Sequence, residues 1–140
     1  MADSAGTVFE GYREGYALPG AAYKDPEIYE LEVRHIMLKA WHYVGHQSMV
    51  PRKGDYFLFE IACESVIVVR DGEGGVNAFM NVCRHRGSRI CDAATGHEAR
   101  FTCPYHGWSY GLDGSLKAAA RMDEGFDRAA HGLCRLQVRV

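Results

Sequence analysis

Two short runs carry the residue types that bind metal: Cys83-Arg84-His85-Arg86-Gly87 and Cys103-Pro104-Tyr105-His106-Gly107-Trp108. Each run offers one thiolate and one imidazole, close enough along the chain to face a single centre. Residues 86 to 102 lie between the two halves. Thiolates and imidazoles together suit zinc and iron–sulfur clusters. Zinc sites built from two cysteines and two histidines set Cys near Cys and His near His in sequence. Here each run mixes the two types, so a structural zinc site is the plainer alternative and the spacing argues against it.

Cys-x-His followed by Cys-x-x-His is the spacing of a Rieske [2Fe–2S] site, with two cysteines on one iron and two histidines on the other. On this reading Cys83 and Cys103 hold one iron, and His85 and His106 hold the other. The mixture has an electrostatic purpose. Two ferric ions, two sulfides and two thiolates sum to zero charge when both imidazoles are neutral. An all-cysteine cluster carries two more negative charges. The neutral centre accepts an electron more readily, at about −150 to +300 mV against about −400 mV for plant-type ferredoxins. The expected chemistry is the passage of one electron at a time.

The flanking residues fit two loops closing over such a centre. Gly87 and Gly107 follow the histidines, where backbone must turn tightly or approach sulfide. Pro104 stiffens the second loop. Trp108 and Tyr110 are placed to cover the centre from water, and Tyr110 to offer its hydroxyl to a sulfur.

These two runs resemble the Rieske domain at the start of the large subunit of Rieske-type non-haem iron oxygenases. That family includes ring-hydroxylating dioxygenases and related monooxygenases and demethylases. The resemblance extends from about Leu18 to the C-terminus. High-potential Rieske proteins of respiratory complexes are a sister group with an added cysteine in each loop. Here those positions are Ser88 and Tyr105, and the serine after the second loop's glycine is replaced by Trp108. With one hydroxyl donor fewer to stabilise the reduced state, the low end of the Rieske potential range is expected.

The resemblance implies a mainly β fold: a small antiparallel β-sandwich with a loop pair for the cluster and one N-terminal α-helix. It implies an arm and helix over residues 1–40 and a Rieske domain over 41–140. A mononuclear Fe(II) held by two histidines and a carboxylate would belong to a further domain. This chain contains no convergent set of that kind, which suggests a shortened or naturally short product with no catalytic residues of its own. The family further implies a ferredoxin or flavin reductase as donor. The acceptor would be the catalytic domain or a neighbouring subunit, commonly within a homo-oligomeric trimer. Substrate is not legible: the sequence resembles both aromatic-ring hydroxylases and demethylases of quaternary ammonium compounds such as choline or betaine. A self-contained Rieske ferredoxin and a zinc-holding interaction module are the other functions weighed.

Composition sets the outer limits. The chain has 140 residues, one domain or slightly more, with 16 Lys+Arg against 18 Asp+Glu. That balance gives no reason to expect nucleic acid or an anionic membrane as partner. No apolar run is long enough to span a bilayer, and the first residues lack the pattern of a signal peptide. A cytoplasmic protein is expected. Of five cysteines, Cys63, Cys91 and Cys134 are left over and expected reduced. Cys91 lies between the two runs, either as a substitute ligand or as a small buried residue.

The elements that must position the site are read from patterning. Residues 1–24 read as an extended or disordered arm bearing Phe9, Tyr12, Tyr16 and Tyr23. Asp25-Pro26-Glu27 starts a helix, continued by Ile28, Leu31, His35 and Leu38 to about Ala40, with His35 packing on that face. Residues 41–46 read as a first strand and 47–54 as a loop. Strands are expected next at 56–61 and 65–70, then a turn at 71–75, and a strand at 76–82 that enters the first run. Residues 88–94 connect onward. A short strand is expected at 99–102, with His97 and Glu98 at an exposed turn before it. Strand 108–110, a turn at 112–114 and strand 115–117 form a hairpin. Residues 118–132 read as loop, and 133–140 alternates as a strand. His42 and His46 at four-residue spacing would chelate on a helix, but on a strand they lie about 13 Å apart, so packing explains them. Arg84, Arg86 and Arg89 crowd the first run, either steering an acidic redox partner or balancing nearby acids.

Overall fold

The structure is a computed structural model that describes residues 10–140. Phe9 of the expected arm lies outside them. Two compact units are present, one ending at His42 and one running from Tyr43 to Val140. No helix among the described residues is long and apolar enough to cross a membrane.

In the first unit, α1 (Pro26–Glu32) begins as its sequence dictates. The Asp25 carboxylate accepts the Glu27 N–H at 2.8 Å, and Pro26 occupies the first turn, where no N–H is needed. The winding then widens over Val33–Met37, and the Leu38 N–H reaches back to the Val33 carbonyl at 2.9 Å. The regular helix is therefore shorter than expected. A wider turn takes up one extra residue and rotates the residues beyond it by about 100°, so a 3.6-residue stripe cannot be carried through it. Ile28 alone of the expected stripe is buried; Leu31, His35 and Leu38 are exposed, so His35 is not a packing residue.

The second unit is built on β-strands. A five-stranded antiparallel sheet has the order β4 (Thr95–His97), β1 (Asp55–Ile61), β2 (Glu64–Arg70), β3 (Val76–Met80), β8 (Arg135–Leu136). A three-stranded sheet joins β5 (Phe101–Thr102), β6 (Ser109–Tyr110) and β7 (Leu116–Ala118). The continuous apolar run of β2 reflects burial on both faces. Ile67 and Val69 join the larger core with Phe79, Phe101, Trp108 and Tyr110, while Val66 and Val68 join a second cluster with Val50, Phe57 and Ala78.

Three expected strands are corrected. Residues 41–46 are not a strand, because the edge of β1 is occupied by β4. His42 instead contacts the Met37 carbonyl at 2.5 Å, and His46 accepts the Ser48 N–H at 3.2 Å, capping a 3-10 turn. His97 belongs to β4, not to an exposed turn, and the strand expected at 99–102 is only β5. The alternating tail forms a strand over Arg135–Leu136 alone, opposite Ala78 and Phe79 of β3.

Candidate metal centre

Both Cys/His runs are tips of antiparallel ladders. Val82 bridges Arg89 across the first, and Thr102 pairs with Ser109 across the second. The tips close identically. The Cys83 N–H donates to the Ser88 carbonyl at 2.8 Å, and the Cys103 N–H to that of Trp108 at 2.8 Å. The Gly87 N–H returns to the Cys83 carbonyl at 3.0 Å, and the Gly107 N–H to that of Cys103 at 3.0 Å. Gly87 and Gly107 sit at φ 71° and 73°, a region closed to most side chains. The two loops are thus one backbone device used twice. The difference is that the histidine stands two residues after the first cysteine and three after the second.

This device brings the four expected residues together. Cys83 and Cys103 are each 2 % exposed, and their thiols interact directly, without a disulfide. The His85 and His106 rings meet edge to face with centroids 4.7 Å apart. Both half-buried rings turn Nδ1 inward, and neither Nδ1 has a hydrogen-bond partner. Two buried ring nitrogens left without partners are unusual, because such groups are almost always satisfied. Burial pushes the Cys83 thiol up, and burial together with the neighbouring His85, Arg86 and Arg121 pulls His106 down. Neutral imidazole is the form that ligates metal.

The donors fit a bimetallic cluster better than one ion. Two buried sulfurs and two orphaned nitrogens form the set that a Rieske cluster takes. Yet no three His, Cys, Asp or Glu side chains among the described residues converge as a single-ion site.

The surroundings complete the enclosure. Tyr110, fully buried, accepts the Arg84 N–H at 3.0 Å and lies 3.2 Å from the Cys83 sulfur. Its oxygen is an acceptor for Arg84, so its proton is free to go to sulfur. Burial and the neighbouring Cys83 raise the phenol strongly, keeping that proton in place. Trp108 stacks on His85 at 4.8 Å and 10°, and is itself flanked by Phe126 and His131 at 5.4 and 6.1 Å. Phe126 and His131 lie in what the sequence showed only as loop; no motif marks them.

Asn81 is a further residue that patterning does not reveal. Its Nδ2 donates to the Cys91 carbonyl at 2.7 Å and to Ser65 Oγ at 3.1 Å. Its Oδ1 accepts the N–H groups of Ile90 and Cys91 at 3.2 and 2.9 Å. A polar residue ending an apolar strand two places before a candidate ligand is the one available signal. Cys91 itself is buried in the larger core, where burial pushes its thiol up to about 11, so it is a packing residue. Cys63 and Cys134 are exposed and unpaired in any disulfide.

Residues 40–136 match the model of the Rieske [2Fe-2S] domain. The chain is 47 % identical over 123 residues to the glycine betaine monooxygenase oxygenase subunit of Chromohalobacter salexigens, covering 86 % of this chain and 28 % of that protein. It is 38 % identical over 121 residues to the anthranilate 1,2-dioxygenase large subunit of Acinetobacter baylyi, covering 84 % and 26 %. The fold superposes on a quaternary ammonium Rieske monooxygenase crystallised with L-carnitine, with a TM-score of 0.79 and 33 % identity over 85 % of this chain and 34 % of the other. The chain therefore spans about a third or less of the length of these relatives. Similarity over the cluster loops and over the sheets that present them has one explanation: the chain belongs to the Rieske [2Fe-2S] domain family.

Proposed function

We propose that this chain is the electron-accepting domain of a Rieske-type non-haem iron oxygenase. Cys83 and Cys103 would hold one iron of its [2Fe–2S] cluster, and His85 and His106 the other. Bound there, the cluster supplies a one-electron couple of moderate potential. The observation that carries the reading is the pair of buried, partnerless Nδ1 atoms beside two buried cysteines. The protein's own residues do the rest. Tyr110 donates a hydrogen bond to the Cys83 sulfur, Trp108 keeps water from His85, and the half-buried His106 edge faces outward under the exposed Tyr105 ring, 3.9 Å away.

The proposal divides the chain into an arm and helix over 1–40 and the Rieske domain over 41–140. A ferredoxin or flavin reductase would be the donor. The acceptor would be a mononuclear iron domain, in the same chain or a neighbouring subunit of a trimer, working in the cytoplasm. Higher identity to the glycine betaine enzyme than to the anthranilate enzyme favours a quaternary ammonium substrate over an aromatic ring. Purified under argon, the protein should contain iron and acid-labile sulfide in equal amounts. On reduction it should give the anisotropic paramagnetic signal of a mixed-valence His/Cys cluster. Stoichiometric zinc and a silent spectrum would overturn the reading.

A further inference from the structure

Trp108 is 1 % exposed, yet its indole N–H has no hydrogen-bond partner among the described residues. A buried tryptophan usually finds one. Without it, no directional bond fixes the rotation of the indole, and the side chains packed around it must do so. One face of the indole lies on His85, 10° from parallel. Phe126 and His131 meet it edge to face, at 65° and 78°. Those two rings also meet each other, with centroids 4.4 Å apart. Trp108, Phe126 and His131 therefore form a closed triangle of rings, and of the three Trp108 is the one stacked on His85.

His131 is the opposite case. Its Nδ1 lies 2.7 Å from the Asp127 carbonyl, which can only accept, so the ring carries its proton on Nδ1 and donates it there. The backbone beneath it is a single 3-10 turn, Ala129–His131. Asp127 Oδ1 accepts the Ala129 and Ala130 N–H groups at 3.0 and 3.2 Å. The His131 N–H donates to the Arg128 carbonyl at 3.1 Å, and beyond the turn the Leu133 N–H donates to the Gly114 carbonyl at 2.8 Å. Asp127 thus holds the turn with its side chain and the imidazole with its main chain. Filling space beside Trp108 needs only apolar bulk. Here one half-buried ring is locked in place and in tautomer at the point where it meets an indole that has no bond of its own.

We propose that His131 is a positioning residue for His85, acting through Trp108. Clamped by Asp127, the His131 ring and its neighbour Phe126 set the tilt of the indole, and the indole sets the plane of the His85 imidazole. Stacked rings transmit a tilt because they lose contact when they part from parallel. Groups that orient a ligating imidazole tune the metal it holds. His106 lies off this path, since its ring neighbours are His85 and Tyr105. The proposal deepens the cluster assignment above and rests on it.

The cluster-loaded protein, carrying isotopically labelled histidine, is reduced and read by pulsed paramagnetic resonance, which resolves the coupling of each ligand nitrogen to the centre. His131→Ala should shift one histidine coupling and leave the other in place. His131→Phe restores a ring against Trp108 and should return the coupling most of the way. His131→Asn keeps a donor for the Asp127 carbonyl without the ring and should not. Asp127→Ala frees the turn while removing no ring, and should move the same coupling in the same direction by less; it carries the test should His131→Ala fail to fold. Asp71→Ala is the control. It removes the same kind of cap, on the Glu73 and Gly75 N–H groups in the turn between β2 and β3, and should leave both couplings unmoved. Lower stability with both couplings unchanged in the His131 and Asp127 variants would make the turn a prop for the fold and overturn the positioning role. Equal shifts at both nitrogens, or a shift that Asp71→Ala reproduces, would overturn it too. An unaltered protein with no iron or sulfide would overturn the cluster assignment itself, and the positioning role with it.

Discussion

Tyr110 occupies a position in which its proton has one place to go. The Arg84 N–H takes its oxygen as acceptor at 3.0 Å, and the Cys83 sulfur lies 3.2 Å away on the other side. Hydrogen bonds to charged groups are worth roughly 1.5–3 kcal/mol, and the reduced centre carries the greater negative charge. Only the difference between redox states reaches the potential, where a tenfold change in equilibrium corresponds to about 59 mV for one electron. Tyr110→Phe should therefore lower the potential by several tens of millivolts, read in a titration monitored by paramagnetic resonance. An unchanged value would mean that the hydroxyl does not serve the sulfur. The sequence already showed this tyrosine two places after Trp108, because ligand runs and their close neighbours are local facts. It could not show the Arg84 contact, which joins the first loop to β6. Phe126 and His131 were illegible for the same reason: they matter only because a loop folds back onto Trp108.

At the scale of elements, two polar anchors hold the frame: one ties the first Cys/His loop to the larger sheet, and the other ties β4 to β1 within that sheet. Asn81 is 1 % exposed and satisfied on all four of its hydrogen-bonding positions. Asn81→Ala would leave the Ile90 and Cys91 amides without partners inside the fold. Each buried group so orphaned costs about 1–3 kcal/mol, so a loss of about 3 kcal/mol is expected in urea unfolding, with faster amide exchange at Ile90 and Cys91. The second anchor is Asp55 at the start of β1. His97 of β4 meets its carboxylate at 2.8 Å and Arg52 at 3.2 Å, and together they hold the acid down to about 2. A carboxylate depressed in the folded state adds stability above its unfolded value of 3.8, and that stability drains away as pH falls through about 2. Asp55→Asn should accordingly be less stable than the parent at neutral pH. The gap between them, measured as denaturation midpoints, should close as pH drops from 3.8 toward 2. A gap that stays constant across that interval would show that the carboxylate's charge is not what binds β1 to β4. Here patterning misled: the aromatic-rich run 41–46 reads as a strand and is none, while Thr95–His97, too short and polar to read as one, pairs along the edge of β1. Strand pairing is chosen by the competitor for an edge, which no single segment displays.

Across the second unit, the two apolar clusters depend on the site to different degrees. Val50, Phe57, Val66, Val68 and Ala78 form a cluster that contains no candidate ligand. The larger cluster includes Cys83, Cys103, Trp108 and Tyr110, so the candidate site is also part of the packing between the sheets. Without metal, the imidazole nitrogens stay buried and unsatisfied and the two thiols crowd each other, which penalises the loop tips alone. Metal binding to such a site contributes directly to folding stability. Removing the cluster with acid and chelator, then returning to neutral pH, should loosen the molecule unevenly. Amide protection should persist along β1, β2 and β3, whose ladder and second cluster are complete without the site. It should fall sharply at Cys83, Gly87, Cys103 and Gly107, the amides that close the tips, and then through β5 and β6, which pair over two residues only. Uniform loss of protection would mean that the cluster nucleates the whole fold. Uniform retention would mean that the tips are rigid before any metal arrives, and that the orphaned nitrogens are tolerated by a frame built to wait for it.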